Sequence, residues 1–66
     1  MKAYEQMREM RLDMRLTQRK YADMIGITVN RYGNFEYART VLPADVFMEA
    51  VRVYDKWRRI DGMRNL

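Results

Sequence analysis

Cysteine and histidine are both absent from this 66-residue chain. Their absence removes disulfide staples, thiolate and imidazole metal ligands, the thiol nucleophile and the commonest general base. Most nucleophilic and metal-assisted reactions have no residues to run on, so the chain reads as a non-enzyme with no cofactor and no small-molecule ligand. Long apolar runs are also missing. Nothing approaches the roughly 18 residues of a membrane span, and Met1 to Arg15 is interleaved with charge, unlike a secretory leader. These features predict a cytoplasmic protein without membrane attachment. Glycine occurs three times and proline once, and no low-complexity tract, repeat or linker divides the chain. A single domain is expected over residues 1–66. A chain this short buries only about 60% of the surface it exposes when unfolded, and below about 70–80 residues a lone core is marginal. Efficient helix packing or a partner subunit has to make up the difference.

Charge gives the first positive clue. Thirteen Lys and Arg face nine Asp and Glu, a formal net charge of +4, which points to an acidic partner such as nucleic acid. Apolar spacing then divides the chain into helices. From Lys2 to Met14, Tyr4, Met7, Met10 or Arg11, and Met14 line one face, with Glu5, Arg8, Glu9 and Asp13 mostly opposite. The methionines on this stripe read as adaptable core packing, the alternative being a soft ligand groove. Thr17 suits an N-cap for a second helix, which runs through Tyr21, Ala22 and Ile25 and stops at Gly26, a residue free to take a left-handed cap. Thr28 suits the N-cap of a third helix through Tyr32, Phe35 and Glu36. With only Ile27 between Gly26 and Thr28, these two helices must meet at a sharp angle.

Pro43 suits the first turn of a fourth helix, expected at about 44–60. Asp45 and Glu49 near its start and Lys56, Arg58 and Arg59 near its end complement the helix dipole. Val46, Ala50, Val53, Tyr54, Trp57 and Ile60 form its apolar face. The tail from Gly62 onward is short and open to fraying, although Met63 and Leu66 are too apolar to dismiss.

From Leu16 to Arg39 the sequence LTQRKYADMIGITVNRYGNFEYAR resembles the helix-turn-helix of the phage repressor, Cro and XRE family, the lambda-repressor-like domains. Leu16, Thr17 and Gln18 match the start of the first motif helix, Ala22 the small residue where the helices cross, and Gly26 the turn glycine. Tyr21, Ile25, Ile27, Tyr32 and Phe35 fall where the motif keeps apolar side chains. The resemblance implies a compact all-α domain of four to five helices, lambda-repressor-like, with its helix-turn-helix at about 17–36. It also implies that Arg11 and Glu36 form a partly buried ion pair beneath the motif; two solvated surface charges are the alternative. The chain departs from the family pattern at Tyr32, usually isoleucine or valine, whose hydroxyl then needs a partner. It departs again at Tyr37-Ala38-Arg39, where many members carry asparagine and glycine. A lengthened fourth helix is expected in place of the family's fifth.

In such proteins the second motif helix lies in the major groove with its N-terminal residues at base edges. Residue by residue, the resemblance places Val29, Asn30 and Asn34 at the bases, with Arg31 in reach of a base or a phosphate. Asparagine pairs with adenine, arginine with guanine, and valine covers a thymine methyl. Gln18, Thr28, Arg39 and Thr40 match phosphate-contact positions, and Arg15, Arg19 and Lys20 form a basic cluster beside them. Polar residues on a merely solvated face are the competing reading of Asn30 and Asn34, and asparagine's poor helix propensity weighs against it. Gly33 costs about 1 kcal/mol relative to alanine in mid-helix; close approach to DNA or local fraying accounts for it. One helix reads few base pairs, so the resemblance further implies a homodimer on a palindromic double-stranded DNA operator. Trp57, Ile60, Met63 and Leu66 are candidates for the dimer contact, the alternative being that they complete the monomer core.

The expected function is sequence-specific transcriptional regulation, by a small phage or mobile-element repressor or autorepressor of the Cro or anti-CRISPR-associated type. The competing function is a helix-turn-helix protein-interaction module, such as an antitoxin binding a toxin. A strongly acidic third helix would have favoured it, and Asn30, Arg31 and Asn34 do not.

Overall fold

Two threonine hydroxyls open the central helices. In the computed structural model, which describes residues 1–64, Thr17 Oγ1 accepts a hydrogen bond from the Lys20 N–H at 3.1 Å and Thr28 Oγ1 accepts one from the Arg31 N–H at 3.2 Å. Each hydroxyl satisfies a donor that the first turn of a helix leaves free. The helices so started are α2 (Gln18–Ile25) and α3 (Val29–Glu36); α1 (Ala3–Asp13) precedes them and α4 (Ala44–Arg64) follows. The architecture is an all-α domain of four helices, with no strand among the described residues.

Helix ends place α2 against α3. Gly26 takes φ 92° and ψ 29°, a left-handed conformation that side-chain-bearing residues adopt only under strain. The N–H groups of Gly26 and Ile27 both donate to the Ala22 carbonyl, at 2.9 and 3.0 Å, which closes α2 and turns the chain directly towards α3. The same kind of stop occurs twice without glycine. After α1, Arg15 sits at φ 58° with its N–H bonded to the Leu12 carbonyl and the Leu16 N–H bonded to that of Arg11. After α3, Ala38 sits at φ 58° with its N–H bonded to the Phe35 carbonyl and the Arg39 N–H bonded to that of Asn34. Both are Schellman stops in which a β-carbon occupies the position glycine prefers, each at a cost on the order of 1 kcal/mol. The segment Tyr37 to Arg39 thus has a defined shape despite lacking asparagine and glycine.

The core draws on every helix. Met7 of α1, Tyr21 and Ala22 of α2, Tyr32 of α3 and Ala50 of α4 are fully buried, with Met14, Ile25, Phe35, Val46 and Val53 around them. Helix α1 packs on α3 and α4, and α2 packs on α3 and α4. The Tyr21 and Tyr32 rings lie 5.7 Å apart at 59°, a tilted aromatic pair. The Tyr21 hydroxyl donates to the Ala50 carbonyl at 2.7 Å, tying α2 to α4. Tyr32 differs: its hydroxyl is buried with no protein partner of hydrogen-bonding geometry. Burial pushes its pKa up, reinforced by the neighbouring Glu36 carboxylate.

Neither Gly33 nor Gly62 interrupts its helix. Helix α3 continues through Gly33 to Glu36, and α4 continues through Gly62 to Arg64. Once a helix is under way each further residue adds a hydrogen bond, and this outweighs a single unfavourable propensity. No described helix is long and apolar enough to cross a membrane.

Candidate functional site

Beneath α3 the chain buries a charge pair. Arg11 grips Glu36 with two bonds, Nε to Oε2 at 3.0 Å and Nη2 to Oε1 at 2.8 Å, while its Nη1 donates to the Leu16 carbonyl at 3.0 Å. The side chains are 14% and 2% exposed. This fork-to-fork geometry is the strongest form of ion pair. Burial alone would push the Glu36 carboxyl up, but the Arg11 hydrogen bonds, helped by that of Gln18, hold it below its ordinary value. Reciprocally, the hydrogen bond to Glu36 raises the pKa of the Arg11 guanidinium.

Gln18 connects this pair to the surface. Its Nε2 donates to Glu36 Oε1 at 3.3 Å. Because a carboxylate only accepts, the amide nitrogen must face Glu36. The Gln18 carbonyl oxygen then lies beside α3, where a β-carbon on Gly33 would sit 3.7 Å from it.

On the other side α3 is open. Tyr32, Phe35 and Glu36 face the core, Asn30 and Arg31 are exposed, and Val29 and Asn34 are half-buried. Val29, Asn30, Gly33 and Asn34 line one shallow concavity with Gln18, Tyr37 and Arg39. This surface offers side-chain amides, an apolar patch and a cation within reach of one another. Arg31 stands apart from it: its guanidinium lies over the Phe35 ring, 5.4 Å from the centroid. Thr28 is exposed, with its hydroxyl already accepting the Arg31 N–H. Arg15, Arg19 and Lys20 are exposed around the start of α2. Arg39 also borders a neighbouring hollow that includes Thr40, Val41 and Tyr4. Tyr37 is a residue the sequence reading left without a role. Its position four residues after Gly33 places it one turn further along the same helix face, a spacing that could have drawn attention to it.

The apolar end of α4 divides into unlike parts. Trp57 is half-buried, packs on the core and stacks on Tyr54 at 5.9 Å, so it belongs in part to the monomer. Ile60 and Met63 are 45% and 73% exposed, and Leu66 lies outside the described residues. Ile60 and Trp57 line a groove with Met24, Val53, Arg52 and Lys56. Met24, exposed at the end of α2, extends this apolar surface beyond the residues expected from the sequence.

Comparison with protein-family models, curated proteins and solved structures returns no match. The functional reading therefore stands on the resemblance of the segment Leu16 to Arg39 and on the geometry of the surface itself.

Proposed function

We propose that the chain is a sequence-specific DNA-binding regulator of the lambda-repressor-like, Cro or XRE kind, a repressor of its own or neighbouring genes. The observation that carries the reading is the division of α3 into two sides. Tyr32, Phe35 and Glu36 hold one side in the core, and the other presents Val29, Asn30 and Asn34 around one concavity. A helix held in this way can enter a major groove, where asparagine makes bidentate bonds to adenine and valine covers a thymine methyl. Arg39, Arg15, Arg19, Lys20, Thr28 and Thr40 then take phosphates along the flanks, with Arg31 able to swing from Phe35 to a base or a phosphate. Gln18 contributes the amide hydrogen that Glu36 does not use. In this reading the protein binds double-stranded operator DNA as a homodimer through the groove and apolar end formed by Met24, Trp57, Ile60 and Met63. A protein-binding role for α3 is less well supported, because its open face carries amides and cations rather than an apolar or acidic stripe.

The test is binding to DNA from upstream of the protein's own gene against a scrambled duplex of equal length, over a salt series. Preference for the upstream sequence that persists as salt rises supports the reading; equal, weak binding to both at every salt concentration overturns it. Asn34→Ala should relax the preference, whereas Arg39→Ala should weaken both duplexes alike and reduce the salt slope by about 0.9. The opposite pattern would reverse these two roles.

A further inference from the structure

We infer that Tyr37 is a DNA-contacting residue that works with Arg39 as one unit, the Tyr37 hydroxyl and the Arg39 guanidinium gripping a backbone phosphate at the C-terminal end of α3. The inference rests on the DNA-binding reading above and adds to it a residue and a role that the resemblance does not supply.

Three features of the structure converge on Tyr37. Its ring is held in place although the residue is 60% exposed. A β-carbon on Gly33 would meet ring carbons of Tyr37 at 3.8 and 4.0 Å, so the ring lies against the bare backbone of α3 one turn earlier. The chain then turns back at Ala38, whose left-handed φ of 58° and flanking hydrogen bonds fix the backbone on the far side. This turn brings the Arg39 guanidinium to 5.2 Å from the Tyr37 ring centroid, within cation–π range. Finally, Tyr37 borders the same concavity as Asn30 and Asn34, so any duplex seated on those amides passes it.

The chemistry selects phosphate rather than base. A recognition helix places its N-terminal residues at the base edges, which leaves the C-terminal end of α3 rising towards the strand backbone. A phenolic hydroxyl is a neutral donor suited to a phosphate oxygen, and arginine matches phosphate with a planar set of donors. A guanidinium already held over a ring has less freedom to lose on binding than one on a solvated stem.

The experiment measures fluorescence anisotropy of two labelled duplexes, one from upstream of the protein's own gene and one scrambled, with wild type, Tyr37→Phe, Tyr37→Ala, Arg39→Ala and the alanine double variant over a salt series. Circular dichroism melting checks that each variant folds. Tyr37→Phe should weaken both duplexes by about 2- to 10-fold, the worth of one hydrogen bond, with an unchanged salt slope because a neutral hydroxyl displaces no counterion. Tyr37→Ala should weaken both further, and the double variant should lose less than the product of the two single losses. A Tyr37→Phe variant that binds like wild type overturns the inference, whatever the alanine variant does. A Tyr37→Phe variant that changes only the preference between duplexes also overturns it, by assigning a base contact. Wild-type protein that binds neither duplex overturns the DNA-binding reading and this inference together.

Discussion

Around Glu36, side chains from three helices converge: Arg11 of α1 and Gln18 of α2 both donate to the carboxylate of α3. At the far end of α4, by contrast, Ile60 and Met63 remain largely exposed on a helix that has left the core behind. In the first region the chain uses its own residues to complete an expensive buried arrangement, because a lone buried charge would be far costlier than a paired one. In the second it leaves apolar side chains unspent. The difference is that contacts among α1, α2 and α3 fix the shape of the surface around α3, whereas the end of α4 keeps apolar side chains exposed.

Breaking the first region should have the largest effect. Arg11→Ala leaves Glu36 buried without its cation and is expected to destabilise the domain by about 3 to 5 kcal/mol, a large share of what a small domain holds, measurable by urea denaturation. The same pair gives the stability a defined pH dependence. The Glu36 carboxyl is held below its ordinary value of 4.5, so the folded state binds its proton less readily than the unfolded state. This stabilisation is present in full above that ordinary value and is lost as pH falls through the lowered value of the folded protein. Glu36→Gln should flatten the acid limb of the stability profile relative to wild type.

A smaller change sharpens the contrast within α3 itself. Gly33 has no left-handed backbone, and an added β-carbon would make only ordinary contacts. Gly33→Ala should therefore raise stability by up to about 1 kcal/mol and leave DNA binding unchanged. A loss of affinity at unchanged or higher stability would instead tie the bare backbone at Gly33 to binding. The smallest effect on folding is expected at the other end: Ile60→Asp should change monomer stability by no more than about 0.5 kcal/mol. If that end joins two copies, the variant should shift sedimentation towards monomer. A loss of stability comparable to that of Arg11→Ala would erase the distinction between the two regions.

Much of the fold is legible locally. Thr17, Gly26 and Thr28 mark helix ends through hydrogen bonds and backbone angles that involve only nearby residues, and Pro43 marks the start of α4 in the same way. The Arg11–Glu36 pair spans 25 positions, so no local signal announces it; only the family resemblance points there. Side-chain direction is harder still. The i,i+4 spacing brings Arg31 to Phe35 and Tyr37 to Gly33, but nothing in the order of residues says how the guanidinium or the ring lies there, or that Gln18 turns its amide inward to Glu36. Each depends on which neighbour from another turn or helix occupies the adjacent space. Arg15 and Ala38 carry no glycine signal, yet local helix-end hydrogen bonds hold both in a left-handed conformation that a β-carbon disfavours.

The uninterrupted run of α4 over 21 residues makes it a rigid ruler of about 31 Å. Removing one residue between Val53 and Ile60 would rotate everything beyond by about 100° and draw it in by about 1.5 Å. Ile60 and Met63 would then point in another direction while the surface around α3 kept its form. Removing four, close to one full turn, would nearly restore their bearing at a shorter reach. The angular phase between the two ends of the molecule is thus written in the length of one helix.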